Sequence, residues 1–323
     1  MKALLKFLQK HIHRSNGVLQ LWRRLSLRYF NRSCRHIAET PPLQQGDKPF
    51  ALVTLLQHVD VIQYLVAVKS FCHSAVTPAE IHIVNDGSLT EEDKRFLRQQ
   101  IPFVTIAEIS EVDTGKCPTG GCWERLKYIV DLSQRIYVIQ LDADTISVAV
   151  LKEVILAIDA DKSFILGTPT GCEIVTCAVA SEFAHSRDHQ HIQFQAERAL
   201  SQLDMAQGFY IRGCAGFAGF AKGAIQWPVV QTFSQQMQQL VEEQGASWSD
   251  WGTEQVTSNF LLANTIAPMV LNEPVYLNSH GQIETPDTHF YHFLGTFRFC
   301  DDKYRSLALK FIAEQVSVKK PAL

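Results

Sequence analysis

The run Ile136-Tyr-Val-Ile-Gln-Leu141, followed at once by Asp142-Ala143-Asp144, constrains this chain more than any other stretch. A short apolar run bounded by polar residues reads as a strand buried on both faces, the kind found in the middle of a parallel sheet. The segments before it alternate in type. Residues 50–56 (FALVTLL) predict a buried strand, 60–73 a helix, 80–85 (EIHIVN) a strand, 90–100 a polar helix, 103–108 a strand and 122–132 a helix. Such alternation predicts an α/β protein with an open, Rossmann-like, mostly parallel sheet flanked by helices. The glycine-rich dinucleotide fingerprint and the phosphate-binding P-loop are both missing, so any phosphate must be neutralised by other groups.

In open α/β sheets ligands bind beyond the carboxyl ends of the strands, which is where Asp142 and Asp144 fall. Two carboxylates at i and i+2 on a chain leaving a strand can address one hard divalent cation, Mn²⁺ or Mg²⁺, that also takes diphosphate oxygens. A cation so placed stabilises the charge that develops on a departing nucleoside diphosphate. An isolated Asp-x-Asp is more often a turn or a solvated loop, and the buried strand before it is what lifts this one above that background.

Further motifs point the same way. Tyr64-Leu-Val-Ala-Val-Lys69-Ser70 closes the first helix, His82-Ile-Val-Asn85-Asp86-Gly87-Ser88 carries the second strand into an acidic-glycine turn, and Trp123-Glu-Arg125-Leu126-Lys127 precedes the Asp-x-Asp strand. Near the C-terminus stands His292-Phe-Leu-Gly295-Thr-Phe-Arg298. In this order the motifs resemble the retaining GT-A glycosyltransferases of the glycogenin and bacterial lipopolysaccharide galactosyltransferase type, loosely over residues 160–245 and by motif elsewhere between 50 and 300. The resemblance implies a hexosyltransferase using a nucleotide-sugar donor, with UDP-sugar expected, and an unidentified acceptor. It implies Asp142, Asp144 and His292 as metal ligands, and Leu56, Gln57, His58 and Asp86 around the base and ribose. Arg125, Ala143, Gly295 and Arg298 complete the donor site, Arg298 standing where the family has lysine. Glu254-Gln255-Val256-Thr257-Ser258-Asn259 is similar to the family's Asp-Gln-Asp-x-x-Asn, which places Glu254 and Gln255 beside the donor sugar. Val256 replaces the second acid, so Asp250 or Glu254 stands as the base of an inverting alternative to retention. The departures at Val256 and Arg298 also admit a catalytically silent relative that binds nucleotide sugar or a partner at a membrane surface. A sugar-nucleotide pyrophosphorylase is excluded, because Leu55-Leu56-Gln57-His58 lacks its basic, glycine-rich loop.

Charge divides the chain. Residues 1–40 hold nine Lys/Arg and one acid, so this segment is +8 and the remainder −11. Apolar residues among those charges, including Leu21, Trp22, Leu25 and Phe30, recur at helical spacing. A helix of this kind lies on an anionic membrane surface or docks on its own acidic domain. No groove-reading motif accompanies the charge, which argues against nucleic acid. Residues 1–45 therefore form a basic amphipathic segment, 46–305 the GT-A domain and 306–323 a C-terminal helix or tail. With no apolar run of spanning length and no signal core, a cytoplasmic setting is expected, peripheral on a membrane at most. The pairs Cys117/Cys122 and Cys172/Cys177 are spaced too widely for a zinc knuckle. His185, His189 and His191 read as one solvated helix. The aromatics Trp248, Trp251, Phe290, Tyr291, Phe293, Phe297 and Phe299 read as a sugar-stacking wall or as core. The glycines of 208–223 read as pocket lining or tight turns.

Overall fold

The computed structural model describes residues 16–203, 208–279, 285–295, 298–299 and 301–318; Phe297, Cys300 and the first fifteen residues of the basic segment lie outside these. The chain begins with α1 (Asn16–Cys34), then runs β1 (Lys48–Leu56), α2 (Val61–Ser74), β2 (Pro78–Asn85), α3 (Glu91–Gln100), β3 (Val104–Glu108), α4 (Trp123–Ser133) and β4 (Tyr137–Leu141). Each strand and helix predicted between 50 and 141 is present within two residues of its expected ends. Apolar periodicity does this work in β1, β2 and β4, whose residues are buried almost throughout. In α3, which is polar, the signal is the capping box between Thr90 and Asp93, with Glu91 and Glu92 in the first turn.

After β4 come β5 (Thr145–Ser147), α5 (Lys152–Asp159), β6 (Phe164–Leu166), β7 (Val175–Thr176), α6 (Cys177–His185) and α7 (Ile192–Ala199). Then follow β8 (Phe209–Tyr210), β9 (Cys214–Phe220), α8 (Trp227–Glu243), α9 (Thr253–Ala263), β10 (Met269–Leu271), β11 (Tyr276–Ser279), β12 (Phe290–Phe293) and α10 (Lys303–Val318). The main sheet has seven strands in the order β10-β6-β9-β4-β1-β2-β3. All its pairings are parallel except those of β9, which runs antiparallel to both β4 and β6. This is the mostly parallel α/β sheet flanked by helices that the sequence predicts. A second sheet, β11-β12-β5, stands where β4 ends. Its β5 begins one residue after Asp144, and it pairs antiparallel with β12, setting His292 opposite Thr145.

Two apolar cores lie on the two faces of the main sheet. In the first, Phe217 of β9 stacks on Phe290 at 4.3 Å and meets Phe164 and Phe71 at 5.0 and 6.1 Å. Large aromatics held edge and face by several neighbours cannot be truncated without leaving a cavity. Phe217→Ala is therefore expected to cost about 3–5 kcal/mol of stability, read from the urea midpoint.

Helix α1 docks on the domain through Phe30, which stacks on Tyr304 of α10 at 4.4 Å, and through buried Cys34. Its opposite face leaves Leu21, Leu25 and Tyr29 more than half exposed. Among the described residues no helix is long and apolar enough to cross a membrane.

Several side chains fall elsewhere than their motifs suggest. His185 ends α6, His189 lies in the following loop and His191 caps α7, so no single helix face carries them. Trp248, Phe290, Tyr291 and Phe293 are core residues, whereas Trp251 is exposed. Gly213, Gly216 and Gly219 belong to β9 or its approach, and are there because neighbouring side chains come too close for a Cβ.

Candidate metal and donor site

Strand β4 delivers Asp142 and Asp144 to the carboxyl edge of the main sheet, and the small sheet brings His292 to meet them. Backbone bonds fix the approach. Asp142 N donates to Gly216 O of β9 at 2.9 Å, and Phe293 N donates to Asp144 O at 2.9 Å. His292 Nε2 then lies 3.3 Å from Asp144 Oδ1 and 3.8 Å from Asp142 Oδ2. One ligand atom from each residue lies within 4.8 Å of the others, the sole such group of three or more metal-binding side chains among the described residues.

His292 is buried and its other nitrogen is anchored. Nδ1 lies 3.1 Å from Asn278 Oδ1 and 3.3 Å from Cys214 Sγ, and Asn278 is its register partner in β11. A partner on Nδ1 leaves Nε2 facing the carboxylates, as a ligating imidazole requires. Burial by itself lowers the imidazole pKa, but Cys214 and Asp144 outweigh it and push it up. Burial likewise raises the Asp144 carboxyl, and the Arg298 and His292 charges override this and hold it well below the usual range. Two carboxylates and an oriented imidazole nitrogen are a donor set that suits a divalent cation.

Guanidinium groups flank both acids. Arg125 Nη1 donates to Asp142 Oδ1 at 2.6 Å, and its Nη2 lies 3.5 Å from Glu254 Oε2. Arg298 Nη2 donates to Asp144 Oδ2 at 2.5 Å, while its Nη1 reaches Gln63 Oε1 at 3.1 Å and Asp60 Oδ1 at 3.5 Å. Burial pushes Glu254 up to about 7, against the pull of Arg125. Glu254 Oε1 and Arg125 Nε are buried without a hydrogen-bond partner among the described residues. Gln255 is half-buried, and its Oε1 accepts from Ala215 N of β9 at 3.1 Å. Val256 is buried in the second core. Asp250 is exposed on the turn into α9.

The strand ends of β1 and β2 meet as well. Asp86 N donates to Leu56 O at 3.2 Å, His58 N donates to Ser88 Oγ at 2.8 Å, and Ser88 donates in turn to Asp86 Oδ1 at 2.6 Å. Leu56 is buried, while Gln57, His58 and Asp86 are exposed. Gly295, at φ +34°, lies beside Arg23 of α1. Thus the structure gathers Asp142, Asp144, His292, Arg125, Arg298 and Glu254 directly, with Gln57 and Gly295 on an adjoining cavity. Sequence reasoning did not identify Cys214, Asn278, Asp60 or Gln63, each of which acts on a predicted residue from another element.

No protein-family model matches the sequence, and no curated protein matches it either. Among solved structures the chain is similar to mouse xyloside xylosyltransferase 1 in its apo form, at 14% identity and a TM-score of 0.42, with 76% of this chain and 96% of that one covered. It is similar to the WbbM bifunctional glycosyltransferase in its apo structure, at 12% identity and a TM-score of 0.49; 85% of this chain is covered, and it spans 53% of that one. A third likeness is to an active-site mutant of LgtC, at 12% identity and a TM-score of 0.46, with 84% and 97% covered.

Proposed function

We propose that this chain is a GT-A glycosyltransferase that moves a hexose from a nucleotide-sugar donor, UDP-sugar, to an acceptor hydroxyl with retention at the anomeric carbon. The observation that carries this reading is the convergence of Asp142, Asp144 and His292 at the carboxyl end of the central strand. Mn²⁺ or Mg²⁺ held by these three would supply the positive charge that stabilises the leaving diphosphate. Arg125 and Arg298 orient the two carboxylates and offer their remaining N–H groups to the donor. Leu56, Gln57, His58 and Asp86 hold base and ribose, His58 and Asp86 being linked through Ser88. Gln255, tied to β9, addresses the donor sugar.

Glu254 is 3% exposed and already faces Arg125, so it positions that guanidinium and is badly placed to take a proton from an acceptor hydroxyl. This favours retention over an inverting displacement through Glu254. The test is UDP-sugar hydrolysis or transfer with Mn²⁺, assayed with a panel of hexose donors. Absence of turnover across the panel would overturn the enzymatic reading.

The outer face of α1 supports contact with an anionic membrane. Leu21, Leu25 and Tyr29, at 58, 52 and 57% exposure, lie along one stripe with Arg28 beside them. Leu21→Ser/Leu25→Ser is expected to weaken partitioning onto phosphatidylserine vesicles roughly tenfold, with the melting temperature retained. Vesicle sedimentation checks this, and unchanged partitioning would assign α1 to the domain alone.

A further inference from the structure

A cavity of about 320 Å³ opens between α1 and the site. From the domain it is lined by Gln57, Asp60, Gly295 and Arg298, and from α1 by Arg23 and Arg24 among others. It thereby joins the loop assigned to base and ribose with the residues assigned to the diphosphate, and its remaining wall is the N-terminal helix.

The charges around it are unevenly used. Arg125 is taken up by Asp142 and Glu254, and Arg298 by Asp144 and Asp60. The cavity's one carboxylate, Asp60, also accepts from the Gln57 and Gln63 amides at 2.6 and 2.5 Å. Arg23 and Arg24 are exposed, and neither has an ion pair among the described residues. Gly295 brings its backbone up to Arg23: a Cβ at this glycine would lie 3.5 Å from Arg23 Nη2. Two guanidiniums without an ion pair among the described residues, one of them beside Gly295, form a receptor for an anion with several oxygens.

We infer that α1 is a wall of the donor site, and that Arg23 and Arg24 bind the diphosphate of the nucleoside diphosphate. The inference rests on the donor reading above and adds to it two further cations, since the charges of Arg125 and Arg298 are already offset by Asp142, Glu254, Asp144 and Asp60. On this reading α1 offers one face to a membrane and closes the nucleotide cavity with the other.

The experiment is calorimetric titration of the full chain with UDP plus Mn²⁺, and separately with uridine. Arg23→Gln/Arg24→Gln should weaken UDP about tenfold or more, and leave uridine unchanged. Arg23→Lys/Arg24→Lys, which keeps the charge, should recover most of the loss. Arg32→Gln, on an exposed part of the same helix away from the cavity, should bind UDP as the parent does. UDP affinity in the glutamine variant within about twofold of the parent would overturn the inference, as would an equal loss for uridine, which would mean that the wall had moved. A parent chain that fails to bind UDP at all overturns the donor reading itself, and the inference with it.

Discussion

Asp144→Ala is expected to lower kcat/KM for UDP-sugar turnover by about 10³-fold or more, the scale of losing a charge-stabilising group that acts in the transition state. Asp144 is 6% exposed and faces His292 on one oxygen and Arg298 on the other. Its removal leaves the Arg298 guanidinium and the His292 imidazole facing a gap, and breaking a buried pair in this way costs about 3–5 kcal/mol. Lost activity in the alanine variant alone would thus confuse chemistry with unfolding. Asp144→Asn keeps the shape and a carbonyl oxygen for Arg298 while removing the charge. The asparagine variant should show a native far-UV circular dichroism spectrum, Mn²⁺ binding weakened by about 10–100-fold and turnover near background. Asp142 is more exposed, so Asp142→Asn should lose activity comparably with a smaller loss of stability. Turnover in Asp144→Asn close to that of the parent would falsify the metal-site assignment.

The half of the fold up to β4 was legible because its elements announce themselves locally. Runs such as FALVTLL and YVIQL are apolar on both faces, and only a doubly covered strand uses that composition. The acids follow directly from β4, so they were found together with it. His292 was different. Phe290-Tyr-His-Phe293 has no alternation, because each of its residues is buried, and nothing local says that it pairs with β5 and β11. Only the His-x-Gly resemblance singled it out. The groups that orient the site were illegible for a similar reason. Asp60 and Gln63 reach Arg298 from α2 and the turn before it, and Cys214 and Asn278 reach His292 from two different sheets. Such partners are defined by tertiary register, which a single sequence does not encode in its spacing. The aromatic residues near the C-terminus leave two readings open because size alone does not distinguish a sugar platform from a core, and four of them are core. The basic segment is legible as an amphipathic helix, but its sequence does not tell which face meets the domain. The helix uses one face against the domain and leaves the other exposed.

The glycines of β9 supply the second large effect. Cys214-Ala-Gly-Phe-Ala-Gly-Phe220 is a fully buried central strand built largely of small residues, a composition that weakens a strand unless something must come close to it. At Gly216 that something is His292. An added Cβ would lie 2.2 Å from the ring's Cε1, 2.5 Å from Nε2 and 2.6 Å from Nδ1. The ring has no free direction in which to yield, since Asn278 and Cys214 hold Nδ1 and its backbone is paired on both sides in the small sheet. Gly216→Ala therefore displaces the proposed ligand His292 without altering any of the three proposed ligands. It should weaken Mn²⁺ binding by about 10–100-fold and lower kcat/KM at least as much, with about 1–3 kcal/mol lost to overpacking. Pairing it with a smaller side chain at the ligand position separates the causes. Gly216→Ala/His292→Asn should regain stability relative to Gly216→Ala, because the clash is relieved, yet regain no activity, because the imidazole is gone. If Gly216→Ala binds Mn²⁺ as the parent does, then His292 does not hold the place against β9 on which the cation site depends.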